Sequence, residues 1–220
     1  KRGRPQWTSY RGRLRTRLLA GDHMGAWNVA EQALASGASP TDVYVDVLGP
    51  VLEDIGTRWE RGSLTVGEEH RASAAARLVV GRMSPRFARR GRTRGTVVLG
   101  AASGDTHGLP LAMVADVLRG AAFDVVDLGA DTPAESFVQM IQRTDAVALG
   151  ISASTDGAVD AVAKTIRAVR EAHPDIPIMV GGPAFPTAAD AEAVGADGWA
   201  PDAREVPTVV ENLLAEANQA

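Results

Sequence analysis

The sequence predicts an α + α/β fold, with an N-terminal four-helix bundle followed by a doubly wound, five-stranded parallel sheet. Three observations predict it. In the first 95 residues apolar side chains recur at three- and four-residue steps, the spacing of helices buried on one face. From Thr96 onward, short apolar runs bounded by Gly, Pro and Asp alternate with helical stretches, the pattern of a parallel sheet with crossover helices. The charge balance also changes sign: residues 1–95 hold 17 Lys and Arg against 9 Asp and Glu, and residues 96–220 hold 6 against 18. Two units with different surroundings follow from that asymmetry.

In the first unit, helices are predicted near 8–20 and 23–36. Ser39-Pro40-Thr41-Asp42 opens a third, with a capping hydroxyl and a proline in the first turn, where a missing N–H costs nothing. Tyr44, Val47, Leu48, Val51, Leu52, Ile55 and Trp59 form its apolar stripe, and a kink is expected at Pro50. Thr65-Val66-Gly67-Glu68 fits a capping box for a fourth helix reaching about residue 83. Four helices with short connections make a bundle.

Strands are predicted at 96–102, 124–129, 146–152, 177–182 and 197–200, with 156–173 the clearest of the intervening helices. The third and fourth strands are apolar throughout, as strands buried on both faces are. The arrangement is flavodoxin-like or Rossmann-like. The division expected is a basic arm (1–8), a helical cap (9–85), a linker (86–95) and the α/β domain (96–220).

Composition narrows the function. With no Cys in 220 residues, disulfide scaffolds, thiolate metal sites and cysteine nucleophiles are excluded. No apolar run approaches the roughly 18 residues of a membrane span, and the expected location is the cytoplasm. Thirteen of the 17 basic residues of the first 95 fall within 1–17 and 82–94, leaving the bundle between them mildly acidic. The basic charge therefore reads as an arm and a solvated linker. Lys1-Arg2-Gly3-Arg4-Pro5 resembles an AT-hook, but no helix-turn-helix fits into the first 17 residues, so nucleic-acid binding is not expected through this chain.

Parallel sheets of this type bind ligands at the carboxyl ends of their strands. The first strand ends in SGDTHGLP, which places Asp105, Thr106, His107 and Gly108 there. A lone loop histidine is ordinarily a solvated polar residue. Here a carboxylate stands two residues before it, and a metal-bound imidazole commonly donates its second N–H to a carboxylate. The glycine fingerprint G-x-G-x-x-G of nicotinamide-binding folds is missing from this turn.

Asp105-Thr106-His107-Gly108-Leu109-Pro110, then Ser152-Ala153-Ser154, then Gly181-Gly182 resemble the signature of cobalamin-binding domains of the methionine-synthase type: D/E-x-H-x-x-G, S-x-L/T and GG at similar spacing. The resemblance implies His107 as the lower ligand of cobalt, supported by Asp105. It implies Ser152 and Ser154 along the cofactor's nucleotide tail, and Gly181 and Gly182 where that tail passes close to the backbone. Pro110 departs from the family's glycine, and a small loop shift is expected from it.

In the helical half, Trp59 is followed after nine residues by Glu69-His70, with Val66 between them. Taken singly, Trp59 reads as a core aromatic and the Glu-His pair as a solvated helix start. Together they resemble the cap motif of the light-sensing adenosylcobalamin regulators of the CarH and LitR type. That resemblance implies Trp59, Val66, Glu69 and His70 around the adenosyl group of adenosylcobalamin. Glu60 stands where those repressors carry a histidine. The function expected is a photoreceptor in signal transduction, not an enzyme and without catalytic residues: light cleaves the cobalt–carbon bond and alters domain packing and the dark-state homo-oligomer, to regulate a protein partner or transcription. The alternative is a corrinoid methyl carrier of a methyltransferase system, which shares the His107 site and differs in the cap. A third reading is a cobalamin-binding module indifferent to light.

Overall fold

The structure is a computed structural model describing residues 7–217 and 219. The chain divides after Phe87 into two compact units.

The helical unit contains α1 (Trp7–Leu19), α2 (His23–Ala35), α3 (Pro40–Asp42), a π-helical segment (Val43–Leu48), α4 (Gly49–Glu60) and α5 (Val66–Met83). Helix α5 packs against α1, α2 and α4, and α1 packs against α2 and α4. The core between them holds Leu14, Leu18, Val29, Tyr44, Leu48, Ile55, Val79 and Met83, all nearly inaccessible. Of the predicted basic arm, residues 1–6 lie outside the described residues. Trp7 and Thr8 already belong to α1.

At Pro50, where a kink is expected, the helix is disturbed by a π-helical segment just before the proline. A proline there cannot donate to the carbonyl of Asp46, and its ring would crowd that group in a regular helix. The wider turn relieves the crowding: Gly49 N–H reaches back five residues to the Tyr44 carbonyl. The Asp46 carbonyl accepts from Arg11 Nε at 2.6 Å, tying α1 to this turn. Phe87, read from sequence as linker, stacks on Tyr44 with ring centroids 5.1 Å apart. Arg94, read as solvated, pairs with Glu211 and lies over the Phe123 ring.

Helix α5 begins as predicted, with Thr65 and Glu68 bonded reciprocally. Acceptance from the Thr65 N–H, then from its hydroxyl, holds the Glu68 carboxyl below its ordinary pKa. Because the fold favours the ionised form, this cap stabilises above the ordinary carboxylate range and is lost as the pH falls below it. Thr65→Ala should cost about 1 kcal/mol near neutral pH, and less in acid, as read by urea unfolding at both pH values.

The α/β unit has strands β1 (Thr96–Ala101), β2 (Asp124–Asp127), β3 (Ala148–Ser152), β4 (Ile178–Gly181) and β5 (Gly198–Ala200). All pair in parallel, in the order β2-β1-β3-β4-β5. Helices α6 (Gly108–Gly120) and α10 (Val206–Ala217) contribute Leu111, Leu118 and Val210 to one face of the sheet, with Val97, Leu99 and Met179. Helices α7 (Ala134–Thr144), α8 (Val159–Ala172) and α9 (Ala188–Ala193) contribute Phe137, Ile141, Val162, Ile166 and Ala191 to the other, with Val98, Ile151 and Val180. Alternation along β1, with Val97 and Leu99 on one side and Val98 on the other, sets this two-sided core. The strand order reverses between β1 and β3, and a crevice at such a switch point is where open α/β sheets bind ligands. Among the described residues, no helix is long and apolar enough to cross a membrane.

Candidate functional site

The loop leaving β1 turns through Gly104, whose φ of +87° suits glycine. It then delivers Asp105 to the interior and His107 to the N-terminus of α6. Pro110 falls in the first turn of α6, where its missing N–H has no partner to lose. Asp105 is 1% exposed. Its Oδ1 accepts from the His107 backbone N–H at 2.9 Å and lies 2.7 Å from His107 Nδ1, and its Oδ2 accepts from Ser154 N–H at 2.6 Å. A carboxylate buried this deeply needs such donors. In the tautomer that donates Nδ1–H to this carboxylate, the Nε2 lone pair is left free. The His107 side chain remains 48% exposed, so the ring is oriented from below and open to a ligand.

The sequence motifs converge here through sheet register. Ser152 ends β3 opposite Ala101 of β1 and Gly181 of β4, and Ser154 follows two residues on to hold Asp105. Thr106 is exposed beside His107, and its carbonyl accepts from the Gly108 N–H. Gly181 ends β4 and Gly182 follows it, at the same carboxyl ends of the strands. Room for a ligand was the expected reason for glycine at these positions. Gly182 has an internal reason of its own: its φ is +104°, and a Cβ would stand 2.4 Å from the Ala153 carbonyl oxygen. At Gly181 a Cβ would lie 3.2 Å from the Ala200 carbonyl oxygen.

Trp59, Val66, Glu69 and His70 belong to the helical unit. Trp59 is 42% exposed at the end of α4, so it leaves the buried stripe that includes Val51 and Ile55. Val66 is exposed in the first turn of α5. Glu69 accepts from the Ser73 hydroxyl one turn on, and its other oxygen lies 3.8 Å from His70 Nε2. His70 is otherwise solvated.

Sequence reasoning missed the loop after β2. Asp131 has a left-handed backbone, φ +51°, and its carboxylate accepts from the Gly104 N–H at 2.7 Å. The DLGADTP run offered only turn formers, Asp127, Gly129, Asp131 and Pro133, with nothing to link Asp131 to the His107 loop.

Among the described residues, no three His, Cys, Asp or Glu side chains gather into a metal cage. A metal held at His107 must therefore bring most of its ligands with it, as a macrocycle does. One oriented imidazole at the mouth of a switch-point crevice fits that requirement.

Comparison with known proteins identifies the family. The profile of the B12 binding domain matches residues 95–207, and a second profile with the same description matches residues 10–83. The dimethylamine corrinoid protein of Methanosarcina barkeri is 30% identical over 181 residues, covering 80% of this chain and 84% of that protein. Trimethylamine corrinoid protein 1 of Methanosarcina acetivorans is also 30% identical, covering 86% and 89%. The solved monomethylamine corrinoid protein of Methanosarcina barkeri shares the fold with a TM-score of 0.82 at 21% identity, over 94% of this chain and 99% of that one. Fold and site thus define a two-part cobalamin-binding protein. The chain belongs to the B12 binding domain family.

These relatives correct two expectations. The light-sensing reading, with transcription regulation and signal transduction as its output, is overturned, because the relatives matched along both units are corrinoid proteins named for methylamines. The expectation of a regulator standing apart from any enzyme falls with it. The relatives favour the methyltransferase alternative, and they support a corrinoid without supporting its adenosyl form.

Proposed function

We propose that the chain is the corrinoid-carrying subunit of a methyltransferase system, shuttling a methyl group between two partner enzymes. The observation that carries this reading is the length of the match: 30% identity to methylamine corrinoid proteins over four-fifths or more of the chain. Cobalt in a corrinoid supplies a centre that accepts a methyl group from one enzyme and releases it to another. In this reading His107 would hold that centre through Nε2. Asp105 fixes the ring's tautomer and orientation, and the Ser154 N–H fixes Asp105. Thr106 and Gly108 shape the loop on either side of the ligand. Ser152, Ser154 and the Gly181-Gly182 edge line the crevice that takes the nucleotide tail. In the helical unit Trp59 and Val66 are exposed apolar side chains, a chemistry suited to shielding a small ligand, and Glu69 and His70 follow Val66 along α5.

Methyl-group acceptors are then a thiol or a reduced folate, and the partners are methyltransferase subunits. The adenosyl form is the competing upper ligand, and dark-state self-association has no part in this reading. The experiment that tests it is transfer of a labelled methyl group from the loaded protein to a thiol or folate, dependent on a partner methyltransferase.

A further inference from the structure

The loop after β2 is bound to the end of β1 along its whole length. Ala101 N–H donates to the Gly129 carbonyl at 2.9 Å, and Thr132 N–H donates to the Ala101 carbonyl at 2.9 Å. Thr132, itself buried, turns its hydroxyl back to the Leu128 and Gly129 carbonyls. Asp131 sits between these anchors. Its N–H donates to the Asp105 carbonyl at 2.8 Å, its Oδ1 accepts from Gly104 N–H at 2.7 Å, and the Ser103 hydroxyl lies 3.5 Å from the same oxygen. One residue thus engages three consecutive residues of the loop that leads to His107. On the far side of the histidine, a Cβ on Gly108 would lie 3.6 Å from Ala130 Cβ. The His107 loop is bracketed before and after its ligand residue.

The left-handed backbone at Asp131 marks the same function. A non-glycine residue holds φ near +50° only where its surroundings over-determine it, and Asp and Asn tolerate the region best. The Asp131 side chain is exposed and adds nothing to the apolar core. Its bonds run to the His107 loop.

We propose that Asp131 is a positioning residue for the corrinoid's lower ligand, acting through the Gly104–Asp105 backbone to hold the Asp105–His107 pair in register. This rests on His107 as the cobalt ligand and not on methyl transfer.

The test uses Asp131→Gly, which accepts the backbone conformation without strain and removes the side chain with its carboxylate. Asp131→Asn keeps both the conformation and an oxygen acceptor. Each full-length variant is titrated with aquocobalamin, and the absorbance spectrum reports imidazole coordination. Asp131→Gly should raise Kd about tenfold, within the range for residues that orient metal ligands, and lower the imidazole-coordinated fraction. Asp131→Asn should restore both. In a His107→Ala background, Asp131→Gly should change neither, because its effect passes through the ligand.

A wild-type Kd and spectrum for Asp131→Gly would overturn the proposal. So would an Asn variant no better than Gly, an equal penalty in both backgrounds, or loss of the folded state in Asp131→Gly. If His107→Ala alone leaves affinity and spectrum unchanged, the ligand assignment fails and this proposal fails with it.

Discussion

His107→Ala should abolish imidazole coordination of bound cobalamin and weaken its binding by at least about tenfold to a hundredfold, the range seen when even the groups behind a metal ligand are removed. The fold should survive the change. The His107 side chain is half exposed, and Asp105 keeps two backbone donors, His107 N–H and Ser154 N–H, after the ring is gone. Stability should therefore move little, as for most exposed positions, while the ligand function is lost. Equilibrium titration with absorbance detection separates the two effects. An unchanged spectrum would remove His107 from the site. A variant that unfolds would show that the Asp105–His107 bond is chiefly structural.

Gly182→Ala should be the most damaging single methyl group added to the α/β unit. At φ +104° an L side chain is strained whatever the space, and here its Cβ would meet the Ala153 carbonyl oxygen at 2.4 Å. Neither backbone segment is free to retreat. Ala153 donates to Gly181 and accepts from Ala184 N–H, so β3 and β4 are tied at this point. Strain of this kind and overpacking each cost about 1–3 kcal/mol, and a destabilisation of about 2–4 kcal/mol is expected in urea unfolding. The damage should also reach the site. Any shift of Ala153 moves Ser154, whose N–H holds Asp105 Oδ2 at 2.6 Å. Cobalamin affinity should fall even where the folded state persists. A cost below about 0.5 kcal/mol would show that the strand ends yield more readily than their bonding implies.

These two residues show what a sequence can and cannot disclose. The strands were readable because both faces of the sheet are covered, which leaves unbroken apolar runs between turn formers. Their ends were less so. The third strand starts at Ala148, not 146, because Asp145 caps α7 in a left-handed conformation and Ala146 N–H still reaches back to Ile141. The Pro50 turn was visible as a disturbance, but its form depends on Tyr44 and Arg11, which no local pattern links to it.

The Asp105–His107 pair was readable because its members are two residues apart. Asp131 was not, since its bond to Gly104 arises only once β2 lies beside β1. The cap motif misled for a related reason. Glu69 stands in the first turn of a capped helix, where Glu is common, with His70 just after it, and Glu69 bonds to Ser73 within that helix. A pattern of four residues, Trp59, Val66, Glu69 and His70, could not decide between a light sensor and a methyl carrier. Comparison over both units favours the methyltransferase alternative.

The most direct measurement follows the methyl group itself. The protein is loaded with radiolabelled methylcobalamin, freed of excess cofactor and incubated anaerobically with a thiol or a reduced folate. It is assayed with and without an extract of its source cells as the supply of partner enzyme. The expected result is label passing from protein to acceptor only when extract is present, at a rate proportional to the loaded protein. Label that stays on the protein with extract and both acceptors present, from a chain that binds adenosylcobalamin about tenfold more tightly than methylcobalamin, a difference of about 1.4 kcal/mol, would contradict a methyl carrier.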